Sequence, residues 1–471
     1  MDDRIFREYD IRGIIDVNLD VDIAYSIGKA YGTLLKTKNP NAKTVSVGRD
    51  GRISSETLSN SLTNGIISTG INVINIGLCP TPLQYFSLHH LNIDGGIMVT
   101  GSHNPPEYNG FKLSIGKETI FGDDIQKIKD IINTKNFLKS DKEGTITSYN
   151  IIKAYKDFIL ERFSYLSDYK YKRFKVVLDS GNGTAGLVAP SLLESIGCDV
   201  ISLYQEPDGR FPNHHPDPTV IEYIKDLIKT TIEANADIGV GYDGDADRIG
   251  IVDNTGRIIW GDQIMIILSR EILKRRPGSV IIGDVKCSQL MFEDIEKNGG
   301  KPIMWKTGHS LIKDKMNKEK AVLAGEFSGH IFIADNYFGY DDAIYTTIRL
   351  IEIMKLKGLN IKDLISDVPK MYYTPEIRLE CPEEKKKIVV EKLVNLFKNY
   401  SLSSNSPIKI KSINDIDGIR VVFENGWGLV RSSNTQPVIV LRFEAKDEKS
   451  LEEYKAFFEN QIKNFMKDIH L

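Results

Sequence analysis

From residue 44 onward, short apolar runs alternate with segments in which apolar residues recur every three or four positions. Thr44-Val45-Ser46-Val47-Gly48-Arg49-Asp50 predicts a strand and its exit loop, followed by a helix around residues 56–69 and another strand over 71–77. Gly95-Gly96-Ile97-Met98-Val99 predicts a short buried strand. Strand–helix alternation of this kind argues for α/β layers with a mostly parallel sheet.

Residues 150–166 carry Ile151, Tyr155, Phe158, Ile159 and Phe163 at helical spacing, and a strand over 174–179 comes next, so a boundary falls near 148. A second unit closes with a strand over 236–242. A third opens near Asp253 and includes apolar runs at 279–283 and 321–325. After Val368 the pattern changes to a helix over 389–400 and strands over 421–423 and 438–443, a smaller α+β unit. The predicted domains are therefore 1–148, 149–252, 253–368 and 369–471. Glu383-Glu384-Lys385-Lys386-Lys387 predicts a solvated helix start.

Composition narrows the class. The 471 residues are 41% hydrophobic and 27% charged, which suits a soluble protein of several domains. No run approaches the ~18 apolar residues of a membrane span. Met1-Asp2-Asp3-Arg4-Ile5 lacks the basic-then-apolar design of a secretory signal, so a cytoplasmic location is expected. With 61 basic and 64 acidic residues the net charge is −3, giving no electrostatic case for a nucleic-acid partner. Cys79, Cys198, Cys287 and Cys381 are widely separated, with no zinc spacing, and read as isolated buried thiols in a reducing compartment.

Four stretches carry candidate chemistry. Thr100-Gly101-Ser102-His103-Asn104-Pro105 leaves a buried strand, placing the Ser102 hydroxyl on a tight turn of small residues with a histidine beside it. Asp243-Gly244-Asp245-Ala246-Asp247-Arg248 alternates carboxylates on a strand exit, where they can converge on one hard divalent cation. It is not an EF-hand, because the glycine and glutamate positions hold Arg248 and Asn254. Arg248 adds a planar donor suited to phosphate. Gly325-Glu326-Phe327-Ser328-Gly329-His330 pairs a carboxylate with a hydroxyl, suited to reading sugar hydroxyls. Arg431-Ser432-Ser433-Asn434-Thr435-Gln436-Pro437 offers a guanidinium and small polar donors to a dianionic phosphate. A fifth stretch, Gly181-Asn182-Gly183-Thr184-Ala185-Gly186, follows a strand and satisfies G-x-G-x-x-G, so dinucleotide binding and close strand–helix packing both fit it. The P-loop reading of residues 110–117 fails on spacing.

In this order, the four stretches resemble the signature of the α-D-phosphohexomutase family, and Phe6-Arg7-Glu8-Tyr9-Asp10-Ile11-Arg12-Gly13 is similar to the family's opening. The similarity is greatest to its phosphomannomutase/phosphoglucomutase branch, since phosphoglucosamine mutases usually carry Gln where Phe327 stands. The resemblance implies three similar α/β domains with mixed, mostly parallel sheets and a C-terminal α+β domain around a central cleft. It implies a phosphorylated Ser102, with Mg2+ held by Ser102, Asp243, Asp245 and Asp247. It implies catalytic roles for Ser102, His103, Lys112, Arg248, Arg12 and His309. Substrate would be bound by Tyr9, Lys286, Glu326, Ser328, His330, Arg431, Ser433, Asn434 and Thr435. The implied reaction interconverts hexose 1-phosphate and hexose 6-phosphate, of mannose or glucose, with a hexose 1,6-bisphosphate as intermediate and activator. Its partners would be sugar phosphates alone, in a monomer or small homo-oligomer. Two alternatives stand beside it: a phosphoglucosamine mutase, and an NAD-dependent oxidoreductase built on residues 181–186.

Overall fold

Four sheets organise the chain, one for each unit, in a computed structural model that describes residues 2–402, 408–433 and 438–468. In the first sheet, Thr44–Arg49 lies between Asn72–Leu78 and Gly95–Val99, all parallel. Tyr108–Ile115 returns antiparallel to Gly95–Val99, Ile11–Ile14 lies outside it, and Ile146–Ser148 closes the far edge. In the second, Lys175–Asp179 is parallel to Asp199–Leu203 and Ile238–Tyr242, and Ile249–Asp253 returns antiparallel. The two-residue strand Ile258–Ile259 pairs with that return, which carries the second sheet past the expected boundary at 252. In the third, Val280–Asp284 is parallel to Lys301–Trp305 and Leu323–Gly325, with Ile331–Ile333 antiparallel.

The three sheets thus share one device: a central parallel strand turns into an antiparallel partner. The turns are residues 100–107, 243–248 and 326–330, which contain the serine, triple-aspartate and Glu-x-Ser-Gly-His loops. The fourth sheet is antiparallel throughout and is covered by the helices Glu383–Leu402 and Glu448–Asp468. Arg431 lies near the end of its strand Gly426–Ser432, which is paired with Val438–Ala445.

Local chemistry explains where elements begin. Asn150 caps the helix Ile151–Phe163, its side chain accepting from Lys153 N at 3.0 Å, and the i, i+4 series Ile151, Tyr155, Ile159 and Phe163 is buried. Asp342 caps Ala343–Lys357 in the same way through Tyr345 N at 2.8 Å. The residues 181–186 do not open a regular α-helix directly: a 3-10 turn Thr184–Leu187 precedes Ala189–Ser195.

One apolar core runs from the helix Thr81–His90 of the first unit through the second and third, so these three units fold against each other. The fourth unit has its own core and docks through two buried arginines. Arg420 lies over Trp427 at 3.7 Å and donates to Val285 O and Cys287 O, while Arg442 lies over Phe327 at 3.5 Å and donates to Lys286 O. All four cysteines are buried and free, and burial pushes the Cys79 thiol up to about 12. Among the described residues no helix is long and apolar enough to cross a membrane.

Candidate active site

Ser102 occupies a left-handed backbone position, φ 49°, which only a tightly held loop sustains for a serine. The clamp is Arg52. Its guanidinium donates to Ser102 O at 2.8 Å, Asn104 O at 2.5 Å, Pro105 O at 2.6 Å and Tyr108 O at 2.9 Å. Glycine at 101 lets the clamp close, since a Cβ would lie 2.5 Å from that guanidinium and 2.9 Å from Tyr108 O. Asp50 holds the other side, accepting from Thr100 Oγ1 at 2.8 Å and Gly101 N at 3.1 Å. Arg12 reaches the same loop through Asn104 Oδ1 at 2.9 Å.

The Ser102 hydroxyl donates to Asp243 Oδ2 at 2.9 Å and lies 3.2 Å from His103 Nδ1. Burial, then the charges of Arg248 and Arg12, hold the His103 pKa well below the ordinary imidazole value, so this ring is neutral. Asp243 Oδ1 accepts from the backbone N–H groups of Asp247 and Arg248, both at 3.1 Å, which folds the aspartate loop back on itself. Gly244 is pressed against the serine loop, where a Cβ would lie 2.5 Å from Ser102 O.

Asp243, Asp245 and Asp247 are fully buried and each brings a carboxylate oxygen within 4.8 Å of the others. Asp245 Oδ1 and Asp247 Oδ1 have no hydrogen-bond partner among the described residues. Burial first, then the charges of Asp247 and Asp245, push the Asp243 carboxyl well above its ordinary range. Unpaired hard oxygens, crowded and desolvated, fit a divalent cation such as Mg2+. Lys112 supplies part of the compensation, its ammonium bound to Asp245 Oδ2 at 2.8 Å and to Asp247 Oδ2. Burial opposes its charge, but the two carboxylates win and hold its pKa well above the ordinary lysine value.

The remaining predicted residues gather across the interface of the first, third and fourth units. Tyr9 donates to Thr307 O at 2.9 Å, Thr307 N donates to Asp417 Oδ2 at 3.0 Å, and Arg431 Nε donates to that same oxygen at 2.9 Å. Glu326 Oε1 accepts from Gly308 N at 2.5 Å, and burial raises the carboxyl's pKa. His309 is buried, with its ring 5.8 Å from that of His330, and burial, then the Lys313 charge, keep it neutral. Lys286 pairs with Glu376 at 3.3 Å, and Arg248 Nε donates to His330 Nε2 at 2.9 Å. Ser328 is half-buried beside them, and Ser433 is buried with its carbonyl accepting from Lys386. Asn434 and Thr435 lie outside the described residues.

Several partners carry no motif. Asp50 and Arg52 stand at the end of a parallel strand, the usual place for ligands in α/β sheets, and that position was the available signal. Thr81, which donates to Asp245 Oδ2 at 2.5 Å, and Asp417 give no local signal at all. Lys386 is corrected from solvated to buried, its ammonium 2.5 Å from Ser433 O. The dinucleotide reading of 181–186 is corrected too. A Cβ on Gly183 would meet Gly244 O at 2.7 Å, so the backbone of the aspartate loop covers the second glycine, where a pyrophosphate would have to approach.

Comparison with known proteins agrees with this arrangement. Models of phosphoglucomutase/phosphomannomutase α/β/α domains I, II and III match residues 3–139, 153–256 and 260–372, and that of the C-terminal domain matches 376–461. A phosphomannomutase/phosphoglucomutase of Pseudomonas syringae pv. tomato is 43% identical over 100% of this chain and 97% of its own length. A phosphoglucomutase of Neisseria gonorrhoeae is 39% identical over 98% of this chain and 97% of its own. The crystal structure of a phosphoglucomutase/phosphomannomutase family protein from Burkholderia thailandensis superposes with a TM-score of 0.89 at 37% identity, covering 99% of this chain and 98% of that one. A four-unit fold, loops that bring Ser102 to Asp243 and Arg248 to His330, and full-length similarity place this chain in the phosphoglucomutase/phosphomannomutase family, as a phosphohexomutase.

Proposed function

We propose that this phosphohexomutase interconverts the 1- and 6-phosphates of mannose and glucose by passing a phosphoryl group through Ser102. The observation that carries the reading is the Ser102 hydroxyl hydrogen-bonded to Asp243 at the mouth of a buried carboxylate trio with unpaired oxygens. A phosphoserine carries about −1.5 to −2 charge at neutral pH, which three aspartates repel unless a cation lies between them. Asp243, Asp245, Asp247 and the phosphorylated Ser102 are the residues that would hold Mg2+. When bound, it supplies neutralisation of the charge spread over the transferring phosphoryl oxygens.

The substrate's own phosphate is bound by Arg431 and Ser433, together with Asn434 and Thr435. Asp417 engages Arg431 Nε, which leaves the two Nη groups for a bidentate grip on the phosphate. Glu326, with one oxygen fixed by Gly308 N, presents the other to ring hydroxyls alongside Ser328. Tyr9, Arg12, Lys286 and His309 line the same space. The free sugar hydroxyl attacks the phosphorus of phosphoserine, the P–Oγ bond breaks, and the hydroxyl proton passes to neutral His103. Lys112 remains an ammonium and contributes charge. The hexose 1,6-bisphosphate so formed turns end for end and returns its other phosphoryl to Ser102, and the same compound added from outside acts as activator. The similarity to a phosphomannomutase/phosphoglucomutase supports both sugars, and that to a phosphoglucomutase supports glucose. Phe327 is packed between Trp260 and Arg442, so the residue that separates this branch from phosphoglucosamine mutases acts through packing. Four free buried thiols fit a cytoplasmic location.

Turnover of mannose 1-phosphate, glucose 1-phosphate and glucosamine 1-phosphate tests the reading. The first two are consumed far faster than the third, and Ser102→Ala lowers turnover by about 10^3-fold or more. Full activity in Ser102→Ala ends the phosphoserine account, and preference for the amino sugar ends the substrate assignment.

A further inference from the structure

In each carboxylate of the aspartate trio, one oxygen is already engaged by donors of the protein. Asp243 Oδ1 accepts the backbone N–H groups of Asp247 and Arg248, both at 3.1 Å. Asp247 Oδ2 accepts from the Lys112 ammonium. Asp245 Oδ2 accepts from that same ammonium at 2.8 Å and from the Thr81 hydroxyl at 2.5 Å. One oxygen of each aspartate is left over. Asp245 Oδ1 and Asp247 Oδ1 have no hydrogen-bond partner among the described residues, and Asp243 Oδ2 takes only the Ser102 hydroxyl among them. Phosphorylation of Ser102 replaces that hydroxyl's proton and releases the third oxygen.

Thr81 lies outside the recognised stretches. It is fully buried at the start of the helix Thr81–His90 and grips Asp245 twice, because its backbone N–H also donates to Asp245 O at 2.8 Å. The other donors near Asp245 Oδ2 are shared. Lys112 also serves Asp247, and Thr100 Oγ1 lies 3.2 Å from Asp245 Oδ2 but nearer, at 2.8 Å, to Asp50 Oδ2. A hydroxyl has one proton to give, so Thr81 is the side chain that serves Asp245 alone among the described residues. A carboxylate with both oxygens loose can clasp an ion with both, as Ca2+ readily takes, with its roughly six to eight oxygen ligands at about 2.3–2.6 Å. Mg2+ demands near-octahedral geometry at about 2.0–2.1 Å, which suits single oxygens held in place. We propose that Thr81 is a positioning residue that sets which cation the trio accepts: by holding Asp245 Oδ2 it confines that carboxylate to one metal bond and so favours Mg2+ over Ca2+.

The inference rests on the reading of Asp243, Asp245 and Asp247 as the cation site, and its tests separate the two. Mg2+ and Ca2+ are titrated calorimetrically into chelator-treated wild type, Thr81→Val and Thr81→Ser, each shown by intact mass to be in the same phosphorylation state. Thr81→Val keeps the size and the backbone N–H but loses the hydroxyl. Its Kd for Mg2+ should rise about 10- to 100-fold while that for Ca2+ changes less than about threefold. Thr81→Ser restores the hydroxyl and should keep the wild-type ratio of the two. An unchanged ratio in Thr81→Val, or an equal loss of preference in Thr81→Ser, overturns the proposal. Infrared difference spectra of wild type, Mg2+-loaded minus metal-free, need no variant: carboxylate bands of unidentate aspartates are expected, and bidentate bands overturn it. Mg2+ binding that survives intact in Asp243→Asn places the ion elsewhere, which ends the reading of the trio and this inference with it.

Discussion

Single buried groups decide how rigidly this site is held. Arg52 is 2% exposed and serves four carbonyls of the serine loop at once, so Arg52→Met takes a donor from each of them and leaves Pro105 O with only the Tyr108 N–H. Each unpaired buried carbonyl costs about 1–3 kcal/mol, incompletely additive, so the variant should lose more than about 3 kcal/mol in chemical denaturation and most of its turnover. A loss below ~1 kcal/mol means the loop holds itself. Asp342 offers a different handle. It accepts from Tyr155 and Tyr337 hydroxyls at 2.9 and 2.7 Å, and burial raises its pKa from 3.8 to about 6 despite those bonds. A folded-state pKa above the unfolded one means the protonated carboxyl favours the fold. Stability from this group therefore grows as pH falls through about 6 and is absent above it. Asp342→Asn keeps the helix cap and can donate to both tyrosine oxygens, so it should raise the melting temperature at pH ~8 and lose the wild-type gain between pH ~8 and ~5.5. An unchanged pH dependence in the variant removes the carboxyl from the explanation.

At the level of elements, the three α/β sheets do the same thing with different side chains. Each turns a central parallel strand into an antiparallel partner, and each turn carries chemistry: Ser102, the aspartates, or Glu326. The loops were legible in the sequence because each is contiguous and polar after an apolar strand. Their equivalence was not, because the turns share no common order of residues and differ in length. The strand Ile258–Ile259 was missed for a plainer reason: two residues cannot display a period. The aspartate turn also predicts a metal-dependent stability. Chelation should stop turnover and lower the melting temperature, and Mg2+ at a hundredfold above its Kd should restore about 2.7 kcal/mol. Asp243→Asn should flatten that response. Turnover that survives exhaustive chelation contradicts the cation role.

Across the whole molecule, the site is assembled from contacts far apart in sequence. Thr81 meets Asp245, Tyr9 meets Thr307, and Asp417 ties Arg431 to that same loop. None of these pairs has a local pattern, so the sequence could place the motifs in four units without showing what binds the units together. The buried Arg420 and Arg442 illustrate the limit, since arginines on strands read as surface residues until Trp427 and Phe327 are seen beneath them. The proposed function makes Ser102 a store for a phosphoryl group beside the carboxylate trio. The intact mass of the purified protein, before and after incubation with glucose 1,6-bisphosphate and Mg2+, tests this most directly. One phosphate-sized increment is predicted, mapped to the Ser102 peptide and absent from Ser102→Ala. No increment in turnover-competent protein, or an increment that persists in Ser102→Ala, contradicts the account.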